Sequence, residues 1–545
     1  MKTSFPTHDV FNQPEPLEPV NLFEIDSRVQ AAVKGFGGDW GVPQLSAYGA
    51  LAGGPLVQHA RLANRYPPEL KTFDTYGHRI DEVEFHPAYH ELMGRAIEHG
   101  VHSLAWETQK PGHHVVRATL ELLHHQAEAG TDCPLTMTFA AIPSLQTTPA
   151  IAEAWLPGIL SRDYDASSRP YFEKRGLTIG MAMTEKQGGT DVRANTTRAV
   201  PLNQAAGGSE CFELTGHKWF CSAPMSDAFL TLAYLDEGLS CFLLPRIKLN
   251  GERNAFHLQR LKDKIGNRSN ASSEVEYDGA FAWLLGDAGR GVATIIQMVA
   301  LTRFNCIVGS TAQMRQGVIQ VLNHIRQRSV MGKLLIDQPL MRNVAADLVL
   351  ESEAALWLMY RLARALEQAR SNPMEEQLVR IGTAIGKYWV CKRAPAHLNE
   401  AQECLGGLGY IEDHPMARLY REAPLNSIWE GSGNVQCLDV LRALSRSPEV
   451  STALLQELRS ATGCHALYDE TLEQLQQQLA QPELFQARAL VQRMALLWQA
   501  SLLHTHADPL VAKSFIQSRL GTRSTLYGSL DDTDAVDILL RSIHF

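Results

Sequence analysis

The sequence lacks the short motifs that mark several large classes of enzyme. A Walker A sequence, a G-x-S-x-G nucleophile turn and an H-E-x-x-H zinc motif are all absent from its 545 residues. The usual signals of nucleoside triphosphatases, serine hydrolases and zinc proteases are therefore missing. His86 and His90 are four residues apart, as two metal ligands on one helix can be. No third ligand is evident, so we interpret them as surface or capping residues and predict no metal site.

Paired cysteines, a leader sequence and a long apolar run are also missing. The nine cysteines are scattered, odd in number and without C-x-x-C spacing, which argues against a disulfide framework and fits a reducing cytoplasm. The first residues have no apolar core of a signal peptide. No apolar run approaches the length needed to cross a bilayer, so we expect no membrane association.

Positive charge is in deficit over the whole chain. Lys and Arg number 50 against 59 Asp and Glu, and the net charge is -9. This balance gives no global support for nucleic-acid binding, so any such surface must be local. The composition, 45% hydrophobic and 20% charged, is that of a globular chain with a large core.

The apolar periodicity changes character twice along the chain and predicts an α+β multidomain protein rather than a βαβ alternation. A Pro-rich N-terminal arm (1–26) could pack on a neighbouring subunit or be mobile. The other predicted divisions are an N-terminal α domain (27–175), a middle antiparallel β domain (176–291), a C-terminal four-helix bundle (292–445) and an appended helical domain (446–545).

Individual elements follow from the same periodicity. Alternating, β-rich segments predict strands at 177–183, 211–221, 228–235, 240–245 and 274–277. Helical spacing predicts helices at 89–100, 115–129, 138–152, 339–371, 374–405 and 434–444, and one long helix or two in succession at 292–328. Two more are predicted in the appended domain, near 484–505 and 509–520.

Residues 428–434, Ile-Trp-Glu-Gly-Ser-Gly-Asn, form the first candidate site. Gly431 and Gly433 permit positive φ and close approach of a ligand. Asn434 is a good N-cap for the helix that follows, whose amides would favour an anion. Glu430 is therefore an active-site candidate, although the same residues could form a simple turn between helices.

Other segments could bind a flat ring or a phosphate. Residues 183–191 (MTEKQGGTD) offer amides and hydroxyls, or form a hairpin loop. Residues 216–222 (GHKWFCS) end a strand with aromatics, or form a plain core strand. Arg328 could fork onto phosphate oxygens or compensate a helix dipole. Residues 405–410 (LGGLGY) do not meet G-x-G-x-x-G, which excludes a Rossmann site.

Taken together, these segments resemble the dispersed motifs of the acyl-CoA dehydrogenase family. The matches are T-E-x-x-G-[GS]-x-D at 184–191, G-x-K-x-x-x-S at 216–222, R-x-x-F-G at 328–332 with Met331 for Phe, G-G-x-G-Y at 406–410 and I-x-E-G-[TS]-x-N at 428–434. RLKDKIGNRSNAS at 260–272 and the added C-terminal domain resemble the branch that acts in the response to DNA alkylation. The resemblance implies an FAD flavoprotein and a homotetramer built as a dimer of dimers.

The resemblance also implies which residues contact FAD between the β domain and the second helical domain. In one subunit they are Met183, Thr184, Gly189, Thr190, Trp219, Ser222, Trp429, Gly431, Gly433 and Asn434. Across the subunit interface, Arg328 and Gln338 would reach the pyrophosphate and adenine end. Gly406 and Gly407 would leave room for it.

The family reaction needs a carboxylate that removes the α-proton of an acyl thioester. Glu430 is at the family's usual base position, and the alternative position, before Arg303, holds Thr302. Arg442, twelve residues after Glu430, is a candidate modulator, because pairing would hold the carboxylate ionised and make it a weaker base. We therefore hypothesise slow or absent acyl-CoA oxidation. The alternative is a metabolic acyl-CoA dehydrogenase.

The related branch is credited with binding double-stranded DNA through the added domain. Residues 446–545 hold eight Lys and Arg against eleven Asp and Glu, a net charge of -3, which is a poor start for phosphate neutralisation. Within 484–523, however, there are five Lys and Arg residues and a single acid, Asp508. These candidate DNA-binding residues are Arg488, Arg493, Lys513, Arg519 and Arg523. Binding would be backbone-directed, and an alkylating agent is the other candidate small-molecule partner besides an acyl-CoA-like thioester.

Overall fold

The computed structural model describes residues 5–206, 209–521 and 526–545, which divide into two compact units. The sheet unit comprises Pro55–His113 and Ala127–Asn305. The bundle unit comprises the chain through Gly54, His114–Gln126 and Cys306–Phe545. The predicted N-terminal α domain is thus shared between the two units.

Helices dominate the first part of the chain. They are α1 (Ser27–Gly35), α2 (Val42–Ala52), α3 (Pro55–Arg65), α4 (Pro87–Glu98), α5 (Leu104–Glu107), α6 (His113–Ala127), α7 (Asp132–Leu145) and α8 (Pro149–Ile159). The helix predicted at 138–152 is in fact two, because Pro149 starts a new helix at a position where its missing N–H costs nothing. A hairpin that the sequence pattern did not predict, β1 (Glu69–Phe73) and β2 (Arg79–Glu84), lies between α3 and α4.

The middle of the chain forms one sheet. Its strands are β3 (Ile179–Ala182), β4 (Arg198–Ala206), β5 (Ser209–Ser222), β6 (Ala228–Leu235), β7 (Gly238–Pro245), β8 (Phe256–Leu261) and β9 (Ser272–Leu285). They run in the order β3-β6-β4-β5-β9-β7, with β8 on β9, and β6 also pairs with β7. Phe212, Phe229, Phe242, Phe256 and Tyr277 fill its core.

The prediction of a purely antiparallel sheet is wrong for one edge. β3 pairs with β6 in parallel, with Ile179 opposite Ala228, and β4 meets β6 in parallel at a single position. The other pairs are antiparallel. The reason is topological, since a long loop and two further strands separate β3 from β6, and such a crossover permits parallel pairing.

Long helices build the bundle, as predicted. The elements are α9 (Gly291–Ile325), the short hairpin β10 (Ser329–Val330) and β11 (Lys333–Leu334), α10 (Pro339–Gln368), α11 (Pro373–Cys404), α12 (Pro415–Glu422) and α13 (Gly433–Arg446). Pro339 and Pro373 start their helices at the first position. Asn372 caps α11 by accepting from the amide of Met374 at 3.0 Å.

Within the described residues, α9 is the one helix long and apolar enough to cross a membrane by length and composition. The sequence analysis did not expect such a run. However, 67% of the apolar window of α9 is buried inside the protein. Buried core helices meet the same criterion, so this helix is weak evidence for a membrane.

The appended segment packs into the bundle unit instead of forming a separate body. Its helices are α14 (Pro448–Arg459), α15 (Ala466–Ala480), α16 (Ala487–His506), α17 (Pro509–Leu520) and α18 (Thr533–Leu540). Trp498 of α16 is fully buried, and a Cβ added to Gly382 of α11 would lie 2.6 Å from its ring. Arg361 of α10 binds both Glu375 and Glu457, at 2.8 and 2.6 Å.

The N-terminal arm packs on its own chain. Asp26 forms a buried ion pair with Arg315 of α9 at 2.6 Å and a β-bridge with Ile543 near the C-terminus. Closer to the start of the arm, the amide of Glu15 donates to Oε1 of Gln327 at 2.9 Å. The arm and the C-terminal residues are thus held on the bundle unit.

Candidate active site

Glu430 lies on a tight turn between a short 3-10 turn, Leu425–Ser427, and α13. Its own φ is +59° and that of Gly431 is +96°. The sequence suggested that glycines would take the left-handed conformation, but the carboxylate-bearing residue takes it too. Such a conformation costs a non-glycine residue on the order of 1–3 kcal/mol, and it persists only where the surroundings hold it.

Two buried side chains hold this turn. Lys387 of α11 donates from Nζ to the carbonyl oxygens of Asn426 at 3.1 Å and Gly431 at 2.7 Å. Gln436 of α13 donates from Nε2 to the carbonyl oxygens of Glu430 at 3.1 Å and Gly431 at 2.8 Å. Sequence reasoning missed both residues, although a lysine among the apolar positions of a long helix was a possible signal.

Glu430 is half-buried. Burial raises the pKa of the Cys306 thiol well above its ordinary value, and the charge of Glu430 raises it further. Trp429 also contacts this thiol, and its indole Nε1 donates to Oδ1 of Asn426 at 2.9 Å. The charge of Glu430 thus acts on the Cys306 thiol, and Trp429 contacts the same thiol within the bundle unit.

Arg442 has a different partner from the one that the sequence suggested. It is exposed at 57% of its side chain and pairs with Asp439 at 3.7 Å, one turn earlier on α13. Arg380 of α11 binds the same carboxylate through two hydrogen bonds, of 2.9 and 3.1 Å. An i,i+3 pair on one helix face explains the choice. The hypothesis of a weakened base therefore loses the contact on which it rested.

The N-terminus of α13 is not capped as predicted. The helix begins at Gly433, so that Ser432 and not Asn434 has the N-cap position. In the part of the chain that the structure describes, the Ser432 side chain makes no capping hydrogen bond. A Cβ added to Gly433 would lie 2.9 Å from Cε of Lys392, so this lysine lies beside the start of α13. This set of donors suits an anionic group.

In the sheet unit, the loop that follows β3 is fixed by a buried ion pair. Glu185 accepts from Nζ of Lys218 at 2.8 Å, from Oγ1 of Thr197 at 2.5 Å and from the amide of Thr196 at 2.7 Å. Burial alone would raise the pKa of Glu185, but the charge of Lys218 and these hydrogen bonds lower it to about 2. The Glu and Lys of the two motifs therefore lock the loop.

Several residues predicted to contact FAD lie around this locked loop. The amide of Trp219 donates to the carbonyl oxygen of Thr184 at 2.7 Å, which joins β5 to the loop. Asn195 donates to the carbonyl oxygen of Met183 at 3.0 Å, while Gly189 and Thr190 are exposed. The structure thus groups four of the six predicted residues on one loop of the sheet unit.

Trp219 presents an aromatic face surrounded by cations. Nζ of Lys262 lies 3.3 Å from the centroid of its ring, and Lys186 and Arg260 lie at 5.7 Å. Such contacts are cation–π interactions. At the end of the same strand, Oγ of Ser222 is 3.1 Å from Oγ of Ser272. An aromatic ring, hydroxyls and cations together fit a flat ring system that carries a phosphate tail.

In the bundle unit, Arg328 and Gln338 flank the hairpin β10–β11. Gln338 donates from Nε2 to the carbonyl oxygen of Val330 at 3.1 Å. The amide of Leu335 donates to the carbonyl oxygen of Arg328 at 2.8 Å. Gly406 has a φ of +59°. No described atom lies within 4 Å of a Cβ built on Gly406 or Gly407, so open space adjoins both, as their predicted role requires.

The histidines considered as metal ligands have other roles. His86 caps α4 by accepting from the amide of Ala88 at 3.1 Å, and Nδ1 of His90 is 2.9 Å from the hydroxyl of Tyr164. Across residues 5–206, 209–521 and 526–545, no cluster of three or more His, Cys, Asp or Glu side chains could hold a metal ion.

The predicted DNA-binding residues do not form one face. Arg519 belongs to a buried network, where it pairs with Asp347 and, at 3.0 Å, with Glu351. Arg523 lies outside the described residues. Arg493 is half-buried. Two buried acids of α10 thus bind a cation of α17. A count of charges along the sequence cannot show that a cation is needed by acids inside the protein.

Arg488 and Lys513 remain exposed on α16 and α17. The guanidinium of Arg488 lies 5.8 Å from the centroid of the Tyr388 ring. The Tyr388 ring is also 3.4 Å from a Cβ built on Gly433. Arg488 thus lies close to the uncapped N-terminus of α13, and Lys513 is the more independent candidate for contact with DNA.

Family models match three stretches of the chain. Residues 12–166 match the N-terminal domain of the adaptive response protein AidB, residues 180–280 the acyl-CoA dehydrogenase middle domain, and residues 289–445 the acyl-CoA dehydrogenase C-terminal domain. The chain is 44% identical over 539 residues to "Putative acyl-CoA dehydrogenase AidB" of Escherichia coli (strain K12), with 98% of each chain covered. The chain belongs to the acyl-CoA dehydrogenase family. FAD is therefore its cofactor, and the donors described above fit it.

Other members of the acyl-CoA dehydrogenase family are also similar. Acyl-CoA dehydrogenase family member 11 of Caenorhabditis elegans is 30% identical over 79% of this chain and 71% of that protein. The crystal structure of Caenorhabditis elegans ACDH-11 in complex with C11-CoA has a TM-score of 0.84 at 26% identity, covering 98% and 92% of the chains. An acyl-CoA dehydrogenase complexed with FAD from Bacillus anthracis shares the fold, with a TM-score of 0.63 at 18% identity over 80% and 81%.

Proposed function

We propose that this protein is an FAD-dependent oxidoreductase of the AidB type that oxidises an acyl thioester, with Glu430 as the base. The observation that carries the proposal is the left-handed turn at Glu430, held by four hydrogen bonds from Lys387 and Gln436. Strain of this kind concentrates at functional sites. The C11-CoA named for the C. elegans structure supports a thioester substrate.

The chemistry that the chain itself supplies is proton abstraction. Bound FAD would accept the hydride from Cβ of the acyl group. The Glu430 carboxylate would take the proton from Cα, and the fixed turn would keep it in reach of that proton. Lys387 and Gln436 donate to backbone carbonyl oxygens of the turn, so they position the backbone that carries Glu430.

The test is reduction of the bound flavin without oxygen. Acyl-CoA thioesters of increasing chain length are added to the intact protein, and loss of the visible flavin absorbance is followed. We expect the wild-type protein to bleach with at least one thioester and Glu430→Gln to bleach on the order of a hundredfold or more slowly, since general-base catalysis contributes about 10²–10⁴.

The matched control is Arg442→Gln. Because Arg442 pairs with Asp439, this change should leave the bleaching rate of the wild type unaltered. If no thioester reduces the flavin of the wild-type protein but one reduces the flavin of Arg442→Gln, the result would instead support the hypothesis that Arg442 weakens the base. If no thioester reduces the flavin of either protein, the proposed oxidation is contradicted.

A second candidate function is association with double-stranded DNA in the response to alkylation, with an alkylating agent as the alternative small-molecule partner. The match to the adaptive response protein AidB and the exposed cations Arg488 and Lys513 support it. Assembly as a homotetramer would bring four copies of these cations together. The surface is local, since the chain as a whole has a net charge of -9.

The DNA test is binding across a salt series. A truncation near Leu444 is unsuitable, because it would remove Trp498 from the core of the bundle unit. Point variants avoid this. Lys513→Gln should weaken binding and reduce the slope of log K against log salt by about one. Arg459→Gln, on the exposed face of α14, is the control. No binding by the wild type at low salt would contradict the association.

A further inference from the structure

Asn12 of the N-terminal arm is bonded to the residue that follows Arg328. Its Nδ2 donates to the carbonyl oxygen of Ser329 at 2.8 Å, and its Oδ1 accepts from the amide of Ser329 at 2.7 Å. The side-chain amide of Asn12 therefore pairs with both backbone groups of Ser329, as a neighbouring strand would. This contact joins residues 317 positions apart in the chain.

The backbone of Asn12 contacts Arg328 itself. Nη1 of Arg328 donates to the carbonyl oxygen of Asn12 in a short hydrogen bond. A guanidinium has five N–H groups, so one bond to the arm leaves others for a ligand. A half-buried arginine with one nitrogen fixed is held in far fewer rotamers than a mobile surface arginine.

Gln338 fixes the next residue of β10. It donates to the carbonyl oxygen of Val330, and the tip residues Met331 and Gly332 both have positive φ, of +53° and +77°. Asn12 and Gln338 thus hold the two consecutive residues of β10, Ser329 and Val330. Arg328 and Gln338 are the two side chains that the family resemblance assigns to the pyrophosphate and adenine end of FAD.

The rest of the arm has its own attachment to α9. The amide of Glu15 donates to Gln327, and Nδ2 of Asn323 donates to the carbonyl oxygen of Glu15 at 3.3 Å. Nε2 of Gln320 donates to the carboxylate of Glu18 at 3.4 Å. Loss of the Asn12 side chain should therefore leave residues 15–18 attached. The backbone at residue 12 would then lose the two bonds to Ser329 that keep its carbonyl oxygen against Arg328.

We propose that Asn12 is a positioning residue for FAD, which fixes Arg328 in the orientation that binds the cofactor. The inference rests on the proposed site in one respect, the assignment of Arg328 to FAD. It gives the N-terminal arm a function, since the arm supplies a contact that no residue of the hairpin can make for itself. Cofactor affinity then depends on a residue far from the flavin motifs in sequence.

Asn12→Gly is the variant of choice. Asn12 has a φ of +54°, which glycine adopts without strain, whereas alanine would add strain of its own. Gln320→Ala is the matched control, because it removes another side-chain amide that joins α9 to the arm but does not touch Arg328. Arg328→Ala and the double variant Asn12→Gly with Arg328→Ala complete a double-mutant cycle.

The measurement is FAD affinity, from titration of the FAD-depleted full-length protein by flavin fluorescence. We expect Asn12→Gly to raise the dissociation constant about tenfold, as loss of two hydrogen bonds would. Gln320→Ala should match the wild type. In the Arg328→Ala background, Asn12→Gly should cause no further loss, because its effect passes through Arg328.

Two results would overturn the inference alone. The first is that Asn12→Gly binds FAD with the affinity of the wild type, while Arg328→Ala binds FAD more weakly than the wild type. The other is additive losses in the double variant, which would mean that the arm acts independently of the guanidinium. If instead Arg328→Ala binds FAD as tightly as the wild type, the assignment of Arg328 to FAD is wrong, and the inference falls with it.

Discussion

Lys387 donates a hydrogen bond from Nζ to the carbonyl oxygen of Gly431 across 2.7 Å, from a residue 44 positions earlier in the chain. The lysine is only 2% exposed, and its second acceptor is the carbonyl oxygen of Asn426. A buried ammonium that bonds two carbonyl groups fixes the backbone on which Glu430 stands, and charge-assisted bonds of this kind are the strong ones.

Replacement of this lysine should separate positioning from cofactor binding. Lys387→Met removes the donor while keeping the length of the side chain, so the turn at Glu430 should loosen. We expect flavin reduction by an acyl thioester to slow by about tenfold or more, with FAD content unchanged, and a loss of about 1–3 kcal/mol in stability from the unsatisfied carbonyls. Anaerobic reduction rates and urea unfolding measure the two effects. Lys34→Met, at an exposed position of α1, is the control, and equal rates in both variants would contradict the role of Lys387.

Breaking the pair of Glu185 and Lys218 should cost much of the stability of the sheet unit. Lys218→Met leaves the carboxylate buried without its cation, a change worth about 3–5 kcal/mol. Adding Glu185→Gln should recover part of that loss, because the uncompensated charge is then gone. Urea unfolding of the two variants and the wild type gives the comparison. A single variant as stable as the wild type would show that the ion pair does not hold the loop.

The same carboxylate predicts a dependence of stability on pH. The pKa of Glu185 is about 2 in the folded protein, below its ordinary value of 4.5. The stability that it contributes is therefore complete above about pH 4.5 and is lost as the pH falls towards 2. Thermal unfolding across this range should show a smaller decrease for Glu185→Gln than for the wild type. Parallel curves for the two proteins would be evidence against the low pKa.

Arg519 should behave as a structural residue and Lys513 as a surface one. Arg519→Met leaves Asp347 and Glu351 without one of their cations, so we expect a loss of about 3–5 kcal/mol in the free energy of unfolding. Lys513→Gln should change stability by less than about 0.5 kcal/mol. Calorimetry of both variants is the measurement. An Arg519→Met protein of wild-type stability that fails to bind DNA would reverse this assignment.

Two glycines of the bundle unit should respond differently to alanine. A Cβ on Gly382 would lie 2.6 Å from the ring of Trp498, so Gly382→Ala should overpack the contact between α11 and α16 and cost about 1–3 kcal/mol. No described atom lies within 4 Å of a Cβ on Gly407. Gly407→Ala should therefore keep the melting temperature and weaken FAD binding, measured by flavin fluorescence. Unchanged FAD affinity would show that the space beside Gly407 is not used.

Local pattern was enough for the long helices of the bundle, for part of the sheet and for the family. The strand predicted at 228–235 has the bounds of β6, and the long helices of the bundle begin and end within a few residues of their predicted limits. Apolar residues mark these elements because each is packed into a core, and the first six residues of β6 are all buried. The sequence also predicted Glu430 as a site residue, because it lies within a motif of seven consecutive residues, 428–434.

Contacts between distant residues were decided only by the tertiary structure. The sequence did not show that Lys387 and Gln436 hold the Glu430 turn, or that Arg519 pairs with two buried acids of α10. Nor did it show that Arg442 would pair with Asp439, three residues away. It also left open the parallel pairing of β3 with β6 and the course of the N-terminal arm. A charge or an amide has no periodicity of its own, and its partner is set by which helices and strands pack together. Composition can therefore count such groups, but only the packed chain determines what each one binds.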